Sequence, residues 1–308
     1  MNADGYTHLI LSGGGIQGLS YIGVYRYLKQ YNLFNNIRHI VGCSIGAVCA
    51  YLFALDLSVD ELERYVLSFM QHPDYTEFEL EGILTLYENK GLYSVYQFKK
   101  ILTDAFQLKY HRDITTVTFQ EFSKITGKNI YITALQLSSL TPKIFSNIDT
   151  PTVDIFTAIL ASMAIPFLFQ PVTINNEIYI DGGVVNALPI DCLTYNSTDK
   201  VLALYLTMAK EVSNDSIKNS INYFIRVIFA IVFSNATEVH FKIHQNKANI
   251  DIIEFKENPL PFIPIKYTET KINMSLSTEL YEEGIYYGYN LMYQYLKNKS
   301  KDSLSQTS

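Results

Sequence analysis

The stretch "VGCSIGAVC", Val41 to Cys49, places one serine, Ser44, between glycines two residues before it and two residues after it. It stands where two patterns meet. "IRHIVGC" before it has the short apolar run of a buried strand. "SIGAVCAYLFAL" after it is hydrophobic enough to be a buried helix. A strand, then Gly-x-Ser-x-Gly, then a helix is the arrangement of a nucleophile elbow. Side chains two before and two after such a serine would collide, and Gly42 and Gly46 remove the collision. The hydroxyl then stands at the carboxyl end of a sheet, where α/β folds bind ligands. It also stands at a helix N-terminus, whose free N–H groups and dipole favour an anion. A plain glycine turn is the simpler reading of the pentapeptide alone.

A serine hydroxyl is a weak nucleophile without a base, and its reaction needs donors for an oxyanion. Upstream, "THLILSGGG" reads as a strand entering a glycine turn, and "IQGLSYIGVYRYLKQY" as a helix with Leu19, Ile22, Tyr25 and Leu28 at helical spacing. In "SGGGIQG" (12–18), Gly13, Gly14 and Gly15 have no side chains, so their N–H groups are able to point into one small space. The string also fits a phosphate loop, but a dinucleotide fold carries an acidic residue about 20 residues further on. "NNIRHIV" (35–41) holds none. The base candidate is Asp181 in "YIDGGV", at the end of a strand and so at the same edge as the elbow, with Gly182 and Gly183 allowing a sharp exit. An Asp-Gly turn is its plain alternative.

The rest of the chain alternates strands and helices. Ser58 with Glu61, Ser94 with Gln97 and Thr118 with Glu121 read as capping boxes that start helices. "QHPDYTEFELEGILTLYENKG" (71–91) reads as a loop or lid, and its acidic residues as a solvated face rather than a cation site. "NIYITALQL", "PKIFS", "EIYID" and "KVLALYL" read as strands. "PTVDIFTAILASMAIP" reads as a helix opened by proline and stopped by Pro166. This order predicts a three-layer α/β/α fold with a mostly parallel central sheet. Beyond about Met208, "INYFIRVIFAIVF" (221–233) is apolar on nearly all sides as a helix, "NPLPFIPI" reads as extended, and Leu276 to Tyr295 as an amphipathic helix. Residues 195–296 are expected to form a mainly helical C-terminal extension packed on the same domain, and 297–308 a disordered tail.

Composition narrows the classes of function. The 308 residues are 48% hydrophobic and 18% charged, enough for a core and too apolar for disorder. A net charge of −6 argues against a nucleic-acid binder. Three cysteines, Cys43, Cys49 and Cys192, make no disulfide framework and point to a reducing compartment. No signal peptide is visible, and the longest apolar runs are shorter than the roughly 18–20 residues of a membrane span. The expected location is intracellular, either cytoplasmic or peripherally associated with a membrane. The histidines show no metal spacing. His240 and His244 follow Asp181 in the chain order of an α/β-hydrolase triad, which keeps a histidine-containing esterase as an alternative.

Taken in order, "GGGIQG" (13–18), "GCSIG" (42–46) and "DGG" (181–183) resemble the patatin-like phospholipase family. "ASMAIPFLFQPV" (161–172), "GLYS" (91–94) and "TFQEF" (118–122) are similar to other parts of it, so the likeness spans about residues 7–194. The resemblance implies a serine–aspartate dyad that hydrolyses lipid acyl esters without histidine, cofactor or metal. Ser44 would be the nucleophile, Asp181 the base and Gly13, Gly14 and Gly15 the oxyanion hole, with Gly18, Gly42, Gly46, Gly182 and Gly183 as motif glycines. Phospholipid or lysophospholipid is the implied substrate, with peripheral membrane contact and no nucleic-acid partner. One departure stands out. The family usually carries Arg or Lys where this chain has Gln17, which is expected to face solvent near the site. A catalytically weak lipid-binding protein is the reading that this departure supports.

Overall fold

A computed structural model describes residues 5–73, 77–79, 83–112, 115–207, 249–261, 266–267, 271–273 and 275–305, with single positions at 223, 227, 241 and 247. Strand β1 (His8–Leu11) leads through the glycine loop and a short 3-10 turn (Gly15–Leu19) into α1 (Ser20–Gln30). β2 (His39–Cys43) leads into α2 (Ile45–Ala54), which is followed by α3 (Val59–Gln71), β3 (Glu77–Glu79), α4 (Ile83–Asn89) and β4 (Gly91–Tyr93). Next come α5 (Lys99–Tyr110), α6 (Phe119–Thr126), the strands β5 (Asn129–Gln136) and β6 (Thr141–Ser146), and α7 (Ile155–Met163). β7 (Phe167–Phe169), β8 (Val172–Ile174), β9 (Glu177–Asp181) and β10 (Val201–Leu206) follow. β11 (Ile250–Phe255), β12 (Lys266–Tyr267), β13 (Lys271–Asn273) and the long α8 (Thr278–Ser305) complete the described strands and α-helices.

Among the described residues, the main sheet has the order β11-β10-β1-β2-β5-β9-β8, with β6 also paired to β5. β11, β10, β1, β2 and β5 are parallel neighbours, while β6 and β9 run antiparallel to β5. The architecture is therefore α/β with a mixed, mostly parallel sheet. Side chains alternate between its faces, as the two-residue period of a strand requires. Leu9, Leu11, Ile40, Leu202 and Leu204 enter the large core under the helices, whereas Ile10, Val41, Val201 and Ala203 enter a smaller core with Leu188 and Ile190. Both faces are buried, which is why these strands read as continuous apolar runs.

The register of β5 decides where the two candidate residues meet. β2 pairs with Asn129–Thr133 and β9 with Ala134–Gln136, while β6 pairs with Tyr131–Gln136. Each residue of β5 has one partner per edge, so β2 and β9 share one edge and β6 holds the other. β2 ends at Cys43 opposite Thr133, and β9 ends at Asp181 opposite Ala134. The two antiparallel strands thus meet end to end on adjacent residues of β5. Asp181 reaches the elbow from a strand running towards it, rather than from a parallel neighbour of β2.

The C-terminal part belongs to the same sheet and core. β10 pairs with β1 across the boundary at residue 194, and Leu276, Tyr281, Ile285 and Met292 are buried in the main core. α8 lies backbone to backbone on α1: a Cβ at Gly23 would come 1.9 Å from the Ile285 carbonyl oxygen, and one at Gly288 1.9 Å from that of Ser20.

Several sequence expectations change. The segment 71–91 is not a single loop: α3 reaches Gln71, Glu77–Glu79 pairs with Lys271–Asn273, and a helix covers Ile83–Asn89. The boxes at Ser58/Glu61 and Thr118/Glu121 form, but Ser94 accepts from Tyr96 N–H and Gln97 makes no reciprocal bond. α7 opens at Asp154, whose carboxylate accepts from the Thr157 N–H, rather than at Pro151. A side-chain cap leaves the helix start to Asp154, not to the proline three residues earlier. Helix α8 runs on through 297–305 instead of giving way to a disordered tail. That segment has no Pro or Gly to stop it, and Lys299 pairs with Asp251. The apolar segment 221–233, apart from Tyr223 and Val227, lies outside the described residues, as do His240 and His244. No described helix is long and apolar enough to cross a membrane.

Candidate active site

Ser44 caps the start of α2 with φ 55° and ψ −125°, a backbone conformation that L-residues rarely adopt. Neighbouring glycines make it feasible. A Cβ on Gly42 would stand 2.3 Å from the Gly46 carbonyl oxygen, and one on Gly46 2.2 Å from the carbonyl oxygen of Leu11 in β1. The turn therefore closes on itself at Gly42 and against the next strand at Gly46. No side chain fits at either position without moving backbone.

Ser44 Oγ donates to Asp181 Oδ2 at 2.6 Å. The other carboxylate oxygen accepts from the Gly183 N–H at 2.7 Å and, at 3.9 Å, from the Cys43 thiol. Asp181 is fully buried and Ser44 is 4% exposed. Burial pushes the Asp181 carboxyl up from its ordinary 3.8 to about 7, against the downward pull of hydrogen bonds from Ser44, Gly183 and Cys43. The same burial pushes the Cys43 thiol well above its usual range. A carboxylate so poised is half-ionised near neutral pH and hydrogen-bonded to a hydroxyl, which is the geometry for moving a proton between the two.

A second layer, which the sequence did not single out residue by residue, holds both partners. Ser44 N–H donates to Ser162 Oγ at 2.8 Å, and that hydroxyl donates to the Thr133 carbonyl at 2.6 Å. The Asp181 N–H donates to the Ala164 carbonyl at 2.9 Å. One short stretch at the end of α7, 162–164, thus grips the backbone of both. Ser162 is a fully buried hydroxyl in the otherwise apolar "AILASMAI", and that contrast is the signal sequence reading had available.

The glycine loop lies beside the elbow: a Cβ on Gly13 would be 3.3 Å from that of Ser44. Of its N–H groups, that of Gly13 is committed to the Ala187 carbonyl at 2.9 Å. Those of Gly14, which caps the 3-10 turn, and Gly15, its first residue, have no helical partner and donate to none of the described backbone groups outside it. Gly15 has φ 58°. Gln17, expected at the surface, is buried at 2% exposure and binds the Leu260 carbonyl. Nothing local in the sequence marks this burial, because the partner is 243 residues away. Among the described residues, no group of three or more His, Cys, Asp or Glu is placed to hold a metal ion.

Fold and site together define an α/β protein with a strained elbow serine hydrogen-bonded to a buried aspartate. The profile of the family described as patatin-like phospholipase matches residues 9–193, more than half of the chain. The chain belongs to the patatin-like phospholipase family, a class of serine hydrolases acting on lipid esters. It is 30% identical over 189 residues to a probable lipid hydrolase, 463L, of Invertebrate iridescent virus 6, covering 60% of this chain and 62% of that one. It is 29% identical over 209 residues to an uncharacterized protein of Acanthamoeba polyphaga mimivirus, covering 68% of this chain and 67% of that one. Triacylglycerol lipase 4 of Saccharomyces cerevisiae is 30% identical over 226 residues, 62% of this chain and 23% of the lipase. The chain therefore spans about two thirds of these viral relatives and a small part of the yeast enzyme. Among solved structures, VipD from Legionella pneumophila shares the fold, with a TM-score of 0.55 at 19% identity over 95% of this chain and 67% of that one.

Proposed function

We propose that the protein hydrolyses acyl esters of phospholipid or lysophospholipid through an acyl-enzyme on Ser44, with Asp181 as general base. The observation that carries this reading is the 2.6 Å hydrogen bond from the strained elbow hydroxyl to a buried carboxylate. Asp181 Oδ2 takes the Ser44 proton as Oγ attacks the ester carbonyl. The negative charge forms on the carbonyl oxygen beside the glycine loop, where the N–H groups of Gly14 and Gly15 are its donors. The Gly13 N–H, counted as a third donor on sequence grounds, is spent on Ala187. Protonated Asp181 then gives its proton to the leaving alkoxide, and water repeats the sequence to release the fatty acid and restore Ser44. Preorganised donors of this kind are worth about 10²–10³ in rate each.

The bond from Ser44 goes to Asp181 directly, so the step needs no histidine. The choice of lipid is tested with purified protein on a panel of phospholipids, lysophospholipids and triacylglycerol, with Ser44→Ala as control. Release of fatty acid from phospholipid or lysophospholipid by the wild type alone is the expected result. Release from triacylglycerol alone would overturn the substrate class while keeping the chemistry. No release from any ester would overturn the hydrolase reading.

A further inference from the structure

Gln17 ends the glycine loop and begins the approach to α1. Its Nε2 donates to the Leu260 carbonyl at 3.0 Å, while its Oε1 is buried without a hydrogen-bond partner among the described residues. The orientation is forced, because the Leu260 carbonyl only accepts. An acceptor buried without a partner destabilises the fold, so stability alone is a poor reason for an amide here. Asn258 grips the same turn from the other side. Its Nδ2 donates to the Gln17 carbonyl at 3.3 Å and to Ser20 Oγ at 3.0 Å, and its Oδ1 accepts from the Leu260 N–H at 3.0 Å.

The gripping segment is itself fixed. Pro259 and Pro261 flank Leu260 and restrict the backbone that carries the accepting carbonyl. The Leu260 side chain packs on α8, where a Cβ at Gly284 would come 2.6 Å from it. On the opposite side of the turn, a Cβ at Gly18 would come 2.6 Å from the side chain of Ile45, the residue after Ser44. The turn Gly15–Leu19 is thus held between the elbow and Asn258–Leu260. The second jaw lies outside residues 9–193, where the family profile matches.

We propose that Gln17 and Asn258 are positioning residues: they clamp the glycine loop to the C-terminal part of the chain, so that this part sets the geometry of the oxyanion donors. The inference rests on the donor role given above to Gly14 and Gly15. In place of a charge beside the loop, Gln17 supplies a neutral tether to a proline-stiffened carbonyl.

The test compares wild type with Gln17→Met, which keeps the volume and loses the donor, Asn258→Ala, which opens the clamp from the far side, and Gln17→Lys, which keeps a donor. Three readouts are taken: melting temperature, kcat and KM on a soluble short-chain ester, and amide hydrogen exchange of residues 13–19. The expected result is faster exchange of 13–19 in Gln17→Met and Asn258→Ala, kcat lowered by about 10–100-fold as for a small misplacement of reacting groups, and KM little changed. Gln17→Lys should recover most of the kcat lost in Gln17→Met. Variants that melt earlier but keep wild-type kcat and loop exchange would overturn the proposal and leave a packing contact only. A wild type that turns over no ester would overturn the hydrolase reading instead, while exchange of 13–19 would still decide whether the clamp holds the loop.

Discussion

Ser44 and Asp181 are 2.6 Å apart, yet the turns that carry them hold their residues in opposite ways. The serine turn is local and strained. Its φ of 55° is kept by glycines whose absent side chains let Gly46 lie on the carbonyl of Leu11. The aspartate turn has ordinary backbone, with φ −50° and ψ 129° at Asp181. Its burden is electrostatic, because a carboxyl group is removed from water with only three hydrogen bonds to support its charge. One half of the pair is destabilised through conformation, the other through desolvation. The two lie within one site because β5 holds the ends of β2 and β9 head to head. Energy stored in two different forms responds to different perturbations, and this makes the comparison testable.

The largest effect is expected on turnover. Ser44→Ala removes the proposed nucleophile, and Asp181→Asn removes the proposed acceptor of its proton. Each should abolish measurable hydrolysis, with a loss of at least the 10²–10⁴-fold typical of a general base. His240→Ala and His244→Ala should keep most of the activity. Steady-state assays of the four variants decide the matter. A comparable loss at either histidine, with Asp181→Asn still active, would favour a triad. The activity of wild type should fall on the acid side with a midpoint near the Asp181 value of about 7. A histidine would give a similar limb, so the profile alone does not replace the variants.

The next effect separates the electrostatic half from the conformational half. The Asp181 carboxyl titrates higher in the folded protein than its ordinary 3.8, at about 7. Its contribution to stability is therefore fully present below about pH 4 and is lost as the pH rises through 7. The difference between the two values corresponds to roughly 4 kcal/mol at most. Asp181→Asn, inactive, should be more stable than wild type at pH 8, with the gap closing by pH 4. Thermal unfolding of both proteins across that range measures it. A wild type that gains stability from pH 4 to pH 8 relative to Asp181→Asn would contradict the account.

Changes in the serine turn should instead destabilise at every pH. Gly46→Ala forces a methyl against the Leu11 carbonyl and should cost about 1–3 kcal/mol or more. Ser162→Ala leaves the buried Ser44 N–H without its acceptor and should cost about 1–3 kcal/mol. It should also lower kcat, since the elbow loses the hydroxyl that fixes it, whereas KM should hardly move. Denaturant unfolding at two pH values distinguishes these losses from the pH-dependent one at Asp181.

The two turns were also unequally legible in the sequence. The elbow is written within nine residues, since Gly42, Ser44 and Gly46 state both the turn and the reason for it. Asp181 was visible as an acid at a strand end, but its direction of approach depends on the register of β5, which no local pattern encodes. Ser162 stands out in the sequence only as a hydroxyl in an apolar helix, and its role depends on the contact of that hydroxyl with the Ser44 amide. The burial of Gln17 is not legible locally, because nothing near it in sequence covers it and Asn258–Leu260 arrive from the far end of the chain. Gly284 and Gly288, four residues apart on one helix, are a sequence signal that α8 packs closely on its neighbours.

In the proposed chemistry Ser44 is the nucleophile and Asp181 activates it. The most direct test is labelling by a fluorophosphonate, followed by mass mapping of the modified peptide, in wild type, Ser44→Ala and Asp181→Asn. The expected result is a single adduct on Ser44 in wild type, none in Ser44→Ala, and labelling of Asp181→Asn slowed by the roughly 10²–10⁴-fold of a lost general base. Equal labelling of wild type and Ser44→Ala, or wild-type labelling rates in Asp181→Asn, would contradict it.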